Sequence, residues 1–195
     1  MPAPLTANLP NALTVARIAA VPLLIAVFYL PAPAANWASL AVFVAASLTD
    51  LLDGWIARRW ELQSEFGKVL DPIADKLLVA AALFMLAAFD RLSIPSIVAA
   101  IAILGREILV SGLREFLAGR ASLPVTALAK WKTGIQMTAI GFLLVGPAAP
   151  RSVPAQHIGE IGLWLAAVLT LVTGWDYLRR GLDFMRAKPG AKAAE

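Results

Sequence analysis

The sequence predicts an all-α integral membrane protein with six transmembrane helices preceded by a short N-terminal interfacial helix. Three observations lead there. Of 195 residues, 59% are hydrophobic and only 15% are charged, against about 25% charged in soluble domains. The apolar residues collect into six runs, near 12–31, 36–57, 72–90, 94–114, 126–147 and 158–178, each close to the ~20 residues that a helix needs to cross a bilayer. Lysine and arginine are also distributed unevenly between the loops that join these runs.

Taken in order, the N-terminal stretch MPAPLTANLPNALTVAR is too polar for a span. Asn8, Pro10, Asn11 and Thr14 are helix-start signals, which predict the interfacial helix. The loop between the first and second runs carries no Lys or Arg, and those after the third and fifth carry Arg91 and Arg151. The opposite side collects Arg58, Arg59 and Lys68, then Arg114, Arg120, Lys130 and Lys132, then Arg179, Arg180, Arg186, Lys188 and Lys192. By the positive-inside rule that side is cytoplasmic, and both termini lie there. Residues 1–186 form one membrane-embedded domain, and 187–195 form a flexible cytoplasmic tail.

The net charge is +4. Because the cations sit between apolar runs, they suit anionic lipid or phosphate rather than nucleic acid. The absence of cysteine excludes disulfides, thiolate metal sites and cysteine nucleophiles. His157, the one histidine, falls on the outer side and reads as an interfacial polar residue. Gly112 and Gly141 are candidates for close helix packing.

The segment DLLDGWIARRWELQSEFGKVLDPIAD, residues 50–75, is the anomaly. Its aspartates, Asp50, Asp53, Asp71 and Asp75, border hydrocarbon, where an unpaired carboxylate costs about 2.5–3.5 kcal/mol. A lone aspartate there reads as an N-cap; four together invite a cation. Asp50, Asp53 and Ala57 share one helix face by spacing, and Asp71 and Asp75 share another. Asp71 reads as an N-cap with Pro72 as the first helical residue. A connection of about ten residues then makes the two helix ends antiparallel neighbours, with four carboxylates converging at the cytoplasmic end. Oxygen-only ligands suit Mg²⁺ or Mn²⁺, and two such ions can bridge a pyrophosphate. Gly54 and Gly67 permit close approach, Arg58 offers a planar fork to phosphate, and Ser64 offers a hydroxyl.

The segment matches D-x2-D-G-x2-A-R-x8-G-x3-D-x3-D at every fixed position: Asp50, Asp53, Gly54, Ala57, Arg58, Gly67, Asp71 and Asp75. This resembles the signature of the CDP-alcohol phosphotransferases, and the resemblance extends over nearly the whole chain. It implies that family's six-span fold, a cytoplasmic site in the bacterial plasma (inner) membrane, and a homodimer. It implies two divalent cations, Mg²⁺ or Mn²⁺, on Asp50, Asp53, Asp71 and Asp75, with Asp75 also the general base. It further implies that CDP-diacylglycerol is bound by Gly54, Ala57, Arg58 and Gly67, with Ser64, Asn11 and Thr14 near the nucleotide.

The acceptor alcohol is read from the second half. Arg106 and Glu107 lie inside the fourth run, and an arginine there must face something polar. A structural Arg106–Glu107 ion pair is one reading. The other is that Arg106, Arg114, Lys130 and Lys132 form a basic pocket beside the metal site, suited to an acceptor that is itself a phosphate ester. NLPNALTVARI, LDPIADKLLV, GREILVSGLREFLAG and AKWKTGIQM are similar to stretches of the bacterial phosphatidylglycerophosphate synthases within that family. That resemblance implies sn-glycerol 3-phosphate as acceptor, with phosphatidylglycerol and inositol phosphate as alternatives. A transporter is the competing class, but no acidic ladder crosses the predicted spans.

Overall fold

The computed structural model describes residues 9–60, 65–117 and 127–186. Among them every regular element is helical: α1 (Leu9–Val27), α2 (Ala34–Trp60), α3 (Glu65–Ala88), α4 (Ile94–Leu117), α5 (Ala127–Val145) and α6 (Ala155–Arg186), with a 3₁₀ turn at Gly146–Ala148. The six helices fall on the six apolar runs. The tail from residue 187, assigned to a flexible segment by sequence, lies outside the described residues.

Two expectations about helix starts are corrected. No separate interfacial helix occurs among the described residues, because α1 runs without a break from Leu9 to Val27. Asp71 is not an N-cap: α3 begins at Glu65 and carries Pro72 in its interior. The connection from α2 therefore shrinks to residues 61–64. Proline early in a helix removes one hydrogen bond without stopping the chain where packing and apolar surroundings favour continuation.

Among the described residues two stretches are long and apolar enough to cross a membrane, Ile94–Arg114 and Ala155–Asp183, while Leu13–Val27 and Ala34–Thr49 are shorter apolar helices. Only 28% and 39% of the two longer windows are buried, so most of their apolar surface faces outward.

The chain forms two compact units. The first contains residues 1–93 and 139–160, and the second residues 94–138 and 161–195. In the first unit α1 packs on both α2 and α3. Its core includes Leu24, Phe28, Phe43, Ala46, Leu78, Ala82 and Leu86. α3 ends in a left-handed Asp90 (φ 54°). There Arg91 N–H donates to Leu86 O at 2.8 Å and Asp90 N–H to Ala87 O at 3.3 Å, a Schellman arrangement that satisfies carbonyls of the last turn.

Just beyond that turn, side chains from elsewhere close the C-terminus of α5. Asn36, buried in α2, donates to Leu144 O at 3.3 Å and Val145 O at 2.9 Å. Arg91 Nη1 also donates to Leu144 O, at 3.2 Å, and its guanidinium lies 5.0 Å from the centre of the Phe28 ring. Burial pushes the Arg91 guanidinium below its usual pKa. Gln156 Nε2 donates to Arg91 O at 2.8 Å, and Ser93 N–H and Oγ–H donate to Glu160. The last carbonyls of a helix have no partner of their own, so this clamp supplies them. Asn36→Ala strips Val145 O of this donor and leaves Leu144 O to Arg91, and it is expected to cost about 1–3 kcal/mol, read as a lower unfolding midpoint in detergent.

Close helix packing within this unit falls at Gly159. Gly112, in the second unit, has nothing within 4 Å of the position of an added Cβ, and Gly141 meets only Leu40 at an ordinary 3.5 Å. At Gly159 an added Cβ would lie 2.6 Å from Leu143 Cγ and 3.1 Å from the Ala139 carbonyl oxygen. Gly159→Ala therefore forces α5 and α6 apart and is expected to cost about 1–3 kcal/mol, whereas Gly112→Ala leaves thermal stability unchanged.

Candidate active site

In the first unit the buried face of α1 comprises Thr14, Arg17, Leu24 and Phe28, spaced as one helix face. It is apolar towards the C-terminal end and polar towards the N-terminal end. The buried face of α2 includes Ser39, Phe43 and Ala46, and the same three-and-four spacing continues in sequence to positions 50, 53 and 57. On α3, Ala74, Leu78 and Ala82 are buried, and Asp75 is half-buried beside them. Thus Thr14 and Asp75, both singled out by sequence, sit in or beside the packed region of the unit.

Asp50, Asp53, Gly54, Ala57 and Arg58 belong to α2, Gly67 and Asp71 to α3, Asn11 to α1 and Lys130 to α5. Their side-chain placements lie outside the described residues, and Ser64 lies outside entirely. Among the described residues no group of three or more His, Cys, Asp or Glu side chains could hold a metal. His157 is exposed, near the α3 C-terminus that Gln156 touches and far along α3 from Asp75.

The second unit holds a polar network among apolar helices. Arg106 on α4 uses all of its guanidinium nitrogens: Nε donates to Thr170 O at 3.1 Å, Nη2 to Thr173 Oγ1 at 3.0 Å and Nη1 to Glu107 Oε1 at 3.2 Å. Thr173 in turn donates its hydroxyl within α6. Lys132 on α5 pairs with the same Glu107 oxygen, and its side chain is only 6% exposed. Tyr177 lies under two cations, with the Arg106 and Arg114 guanidiniums 5.7 and 5.8 Å from its ring centre. The backbone of α6 can approach because residue 174 is glycine, where an added Cβ would meet Arg106 Cγ at 2.7 Å. The Arg106–Glu107 ion pair is therefore present, and it extends to Lys132.

These partners were not visible in the sequence. Thr170, Thr173, Gly174 and Tyr177 are unremarkable residues in an apolar run, and their only signal is that they recur on one face of α6. Arg17 was also missed. It reads as a cation of the polar N-terminal stretch, yet it lies three residues after Thr14 on the same face and is buried.

Residues 7–172 match the family model described as CDP-alcohol phosphatidyltransferase. The chain belongs to that family. A CDP-alcohol phosphatidyltransferase relative from Rickettsia bellii, named CDP-diacylglycerol–glycerol-3-phosphate 3-phosphatidyltransferase, is 49% identical over 174 residues, covering 88% of this chain and 94% of its own. A cardiolipin synthase (CMP-forming) from Oryza sativa subsp. japonica is 45% identical over 196 residues, covering 92% of this chain but 59% of its own. The fold of this family member is shared with the Mycobacterium tuberculosis phosphatidylinositol phosphate synthase PgsA1. Its apo crystal structure superposes with a TM-score of 0.64 at 23% identity, covering 97% of this chain and 93% of that one. A second structure of PgsA1, in complex with manganese and citrate, gives 0.62.

Proposed function

We propose that this protein transfers the phosphatidyl group of CDP-diacylglycerol to sn-glycerol 3-phosphate, forming phosphatidylglycerophosphate and releasing CMP. The observation that carries the reading is the complete eight-position signature on α2 and α3, in a chain whose Rickettsia relative bears the name of that activity.

The donor set fits hard divalent cations, because the segment offers only carboxylate oxygens and the chain has no cysteine. Asp50, Asp53, Asp71 and Asp75 would hold Mg²⁺ or Mn²⁺, which when bound supplies charge neutralisation to the pyrophosphate. Asp75 accepts the proton of the acceptor's 1-hydroxyl. The oxygen so freed bonds to the lipid-side phosphorus, the pyrophosphate P–O bond breaks, and CMP departs with the electron pair. Gly54, Ala57, Arg58 and Gly67, with Asn11, Thr14 and Ser64, hold the donor. Arg106, Arg114, Lys130 and Lys132 supply positive charge for the acceptor phosphate. Most of the catalysis is then positioning and electrostatics.

The six helices read as six spans in a bacterial plasma membrane, with the signature on the cytoplasmic side, a reading supported by the lysine and arginine distribution. Large apolar side chains such as Phe84, Ile101, Ile108 and Ile161 are exposed. Exposed Tyr29 and Trp37 lie near the end of α1 and the start of α2, and exposed Trp131 near the start of α5, positions that suit the aromatic belts of membrane proteins. The single membrane-embedded domain and the homodimer follow from the family resemblance.

A second reading keeps the donor and changes the acceptor to phosphatidylglycerol, favoured by the likeness to the rice cardiolipin synthase. Purified protein with CDP-diacylglycerol and Mg²⁺ is offered glycerol 3-phosphate, phosphatidylglycerol, inositol phosphate and serine, and CMP release is measured. Release with glycerol 3-phosphate is expected. Release only with another acceptor overturns the choice of alcohol, and release with none overturns the reaction.

A further inference from the structure

Arg17 is 1% exposed, and its Nε and Nη1 atoms are shut away from solvent. A guanidinium stays charged at any working pH, so a buried one needs an anion close by. Arg17 lies on the face of α1 that packs against α2 and α3. α1 itself has no acidic residue. α2 has only Asp50 and Asp53, and α3 has Glu65, Asp71 and Asp75.

On α3, helix register selects among its three acidic residues. The Phe28 ring, just past the end of α1, lies 5.4 Å from the Phe89 ring, just past the end of α3. The two helices therefore end at one level and run in the same direction. Eleven residues back from Phe28 is Arg17, and eleven back from Phe89 is Leu78. Side chains tilt towards the N-terminus of their helix, so the Arg17 guanidinium lies about one turn, roughly 5 Å, below its own Cα. One turn below Leu78 is the half-buried Asp75. Asp71 lies a further turn away.

We propose that Arg17 is a positioning residue for the reaction: its buried guanidinium pairs with Asp75, sets the orientation of that carboxylate and supplies a fixed positive charge beneath the aspartate segment. This rests on the proposed role of Asp75. It gives the base one permanent partner that does not leave with metal or substrate. It also accounts for a charged side chain deep in a helix face whose other half is apolar.

The test is a double-mutant cycle on the full-length protein in detergent, with Arg17→Met, Arg17→Lys, Asp75→Asn and the Arg17→Met/Asp75→Asn pair, read by thermal unfolding in EDTA. Arg17→Met is expected to lower the midpoint by roughly 10 °C, and Arg17→Lys by much less. The double variant is expected to be no less stable than Arg17→Met alone, because the carboxylate left without its partner has been removed. Mg²⁺ alone is then added. Without the arginine the carboxylates bind it more tightly, and the concentration that half-stabilises Arg17→Met falls about tenfold. Additive losses in the cycle, or an unchanged Mg²⁺ midpoint in Arg17→Met, overturn the pairing. If Mg²⁺ stabilises neither wild type nor variants, the metal role of the segment fails, while the cycle in EDTA still decides the pair.

Discussion

Asp75→Asn lowers the rate of CMP release by about 100-fold or more, the scale of a lost general base. The reaction cannot proceed without moving the acceptor's hydroxyl proton, and among the described residues Asp75 is the carboxylate of the signature at the edge of the packed core. The chain has no cysteine, and its one histidine is exposed near the opposite end of α3. The amide is isosteric with the carboxylate, so the helix keeps its packing while the proton acceptor is lost. The loss appears in kcat at saturating glycerol 3-phosphate, and it far exceeds any fall in the folded fraction measured on the same sample. Turnover at the wild-type rate removes Asp75 from the role of base.

Glu107→Ala is expected to destabilise the protein by about 3–5 kcal/mol, because it removes the carboxylate that pairs with two largely buried cations. Glu107 is the shared anion for Arg106 and Lys132, whose side chains are only 9% and 6% exposed. Arg106 retains its bonds to Thr170 and Thr173, whereas the ion pair that Lys132 makes with Glu107 is lost. Glu107→Gln, which keeps an acceptor oxygen, costs less. Unfolding in detergent measures both. Adding glycerol 3-phosphate separates a purely structural cluster from one that also meets an acceptor phosphate. If Lys132 binds that phosphate, a concentration a hundred times the dissociation constant restores about 2.7 kcal/mol. If the cluster only braces helices, nothing is restored.

The extent of each helix was largely legible, because an apolar run between polar loops has few alternatives once the surroundings are apolar. What misled was local chemistry. Asp71–Pro72 is a good helix start taken alone, but α3 has already begun at Glu65 and carries Pro72 in its interior. Within the chain Gly112 has open space, while Gly159 and Gly174 are in tight contact. Spacing alone does not say which face of a helix meets a neighbour.

The family, the helical class and the residues of the signature were legible in the sequence, because a motif of carboxylates and glycines at fixed helical spacing is local information. The pairing of polar groups emerged only once the helices were packed. Arg106 is held by Thr170, Thr173 and Glu107, Asn36 and Arg91 close the end of α5, and Arg17 is buried on the face of α1 that packs on α2 and α3. In an apolar interior each polar group must find a partner. Those partners lie as many as 109 residues away along the chain, where no periodicity in sequence reaches.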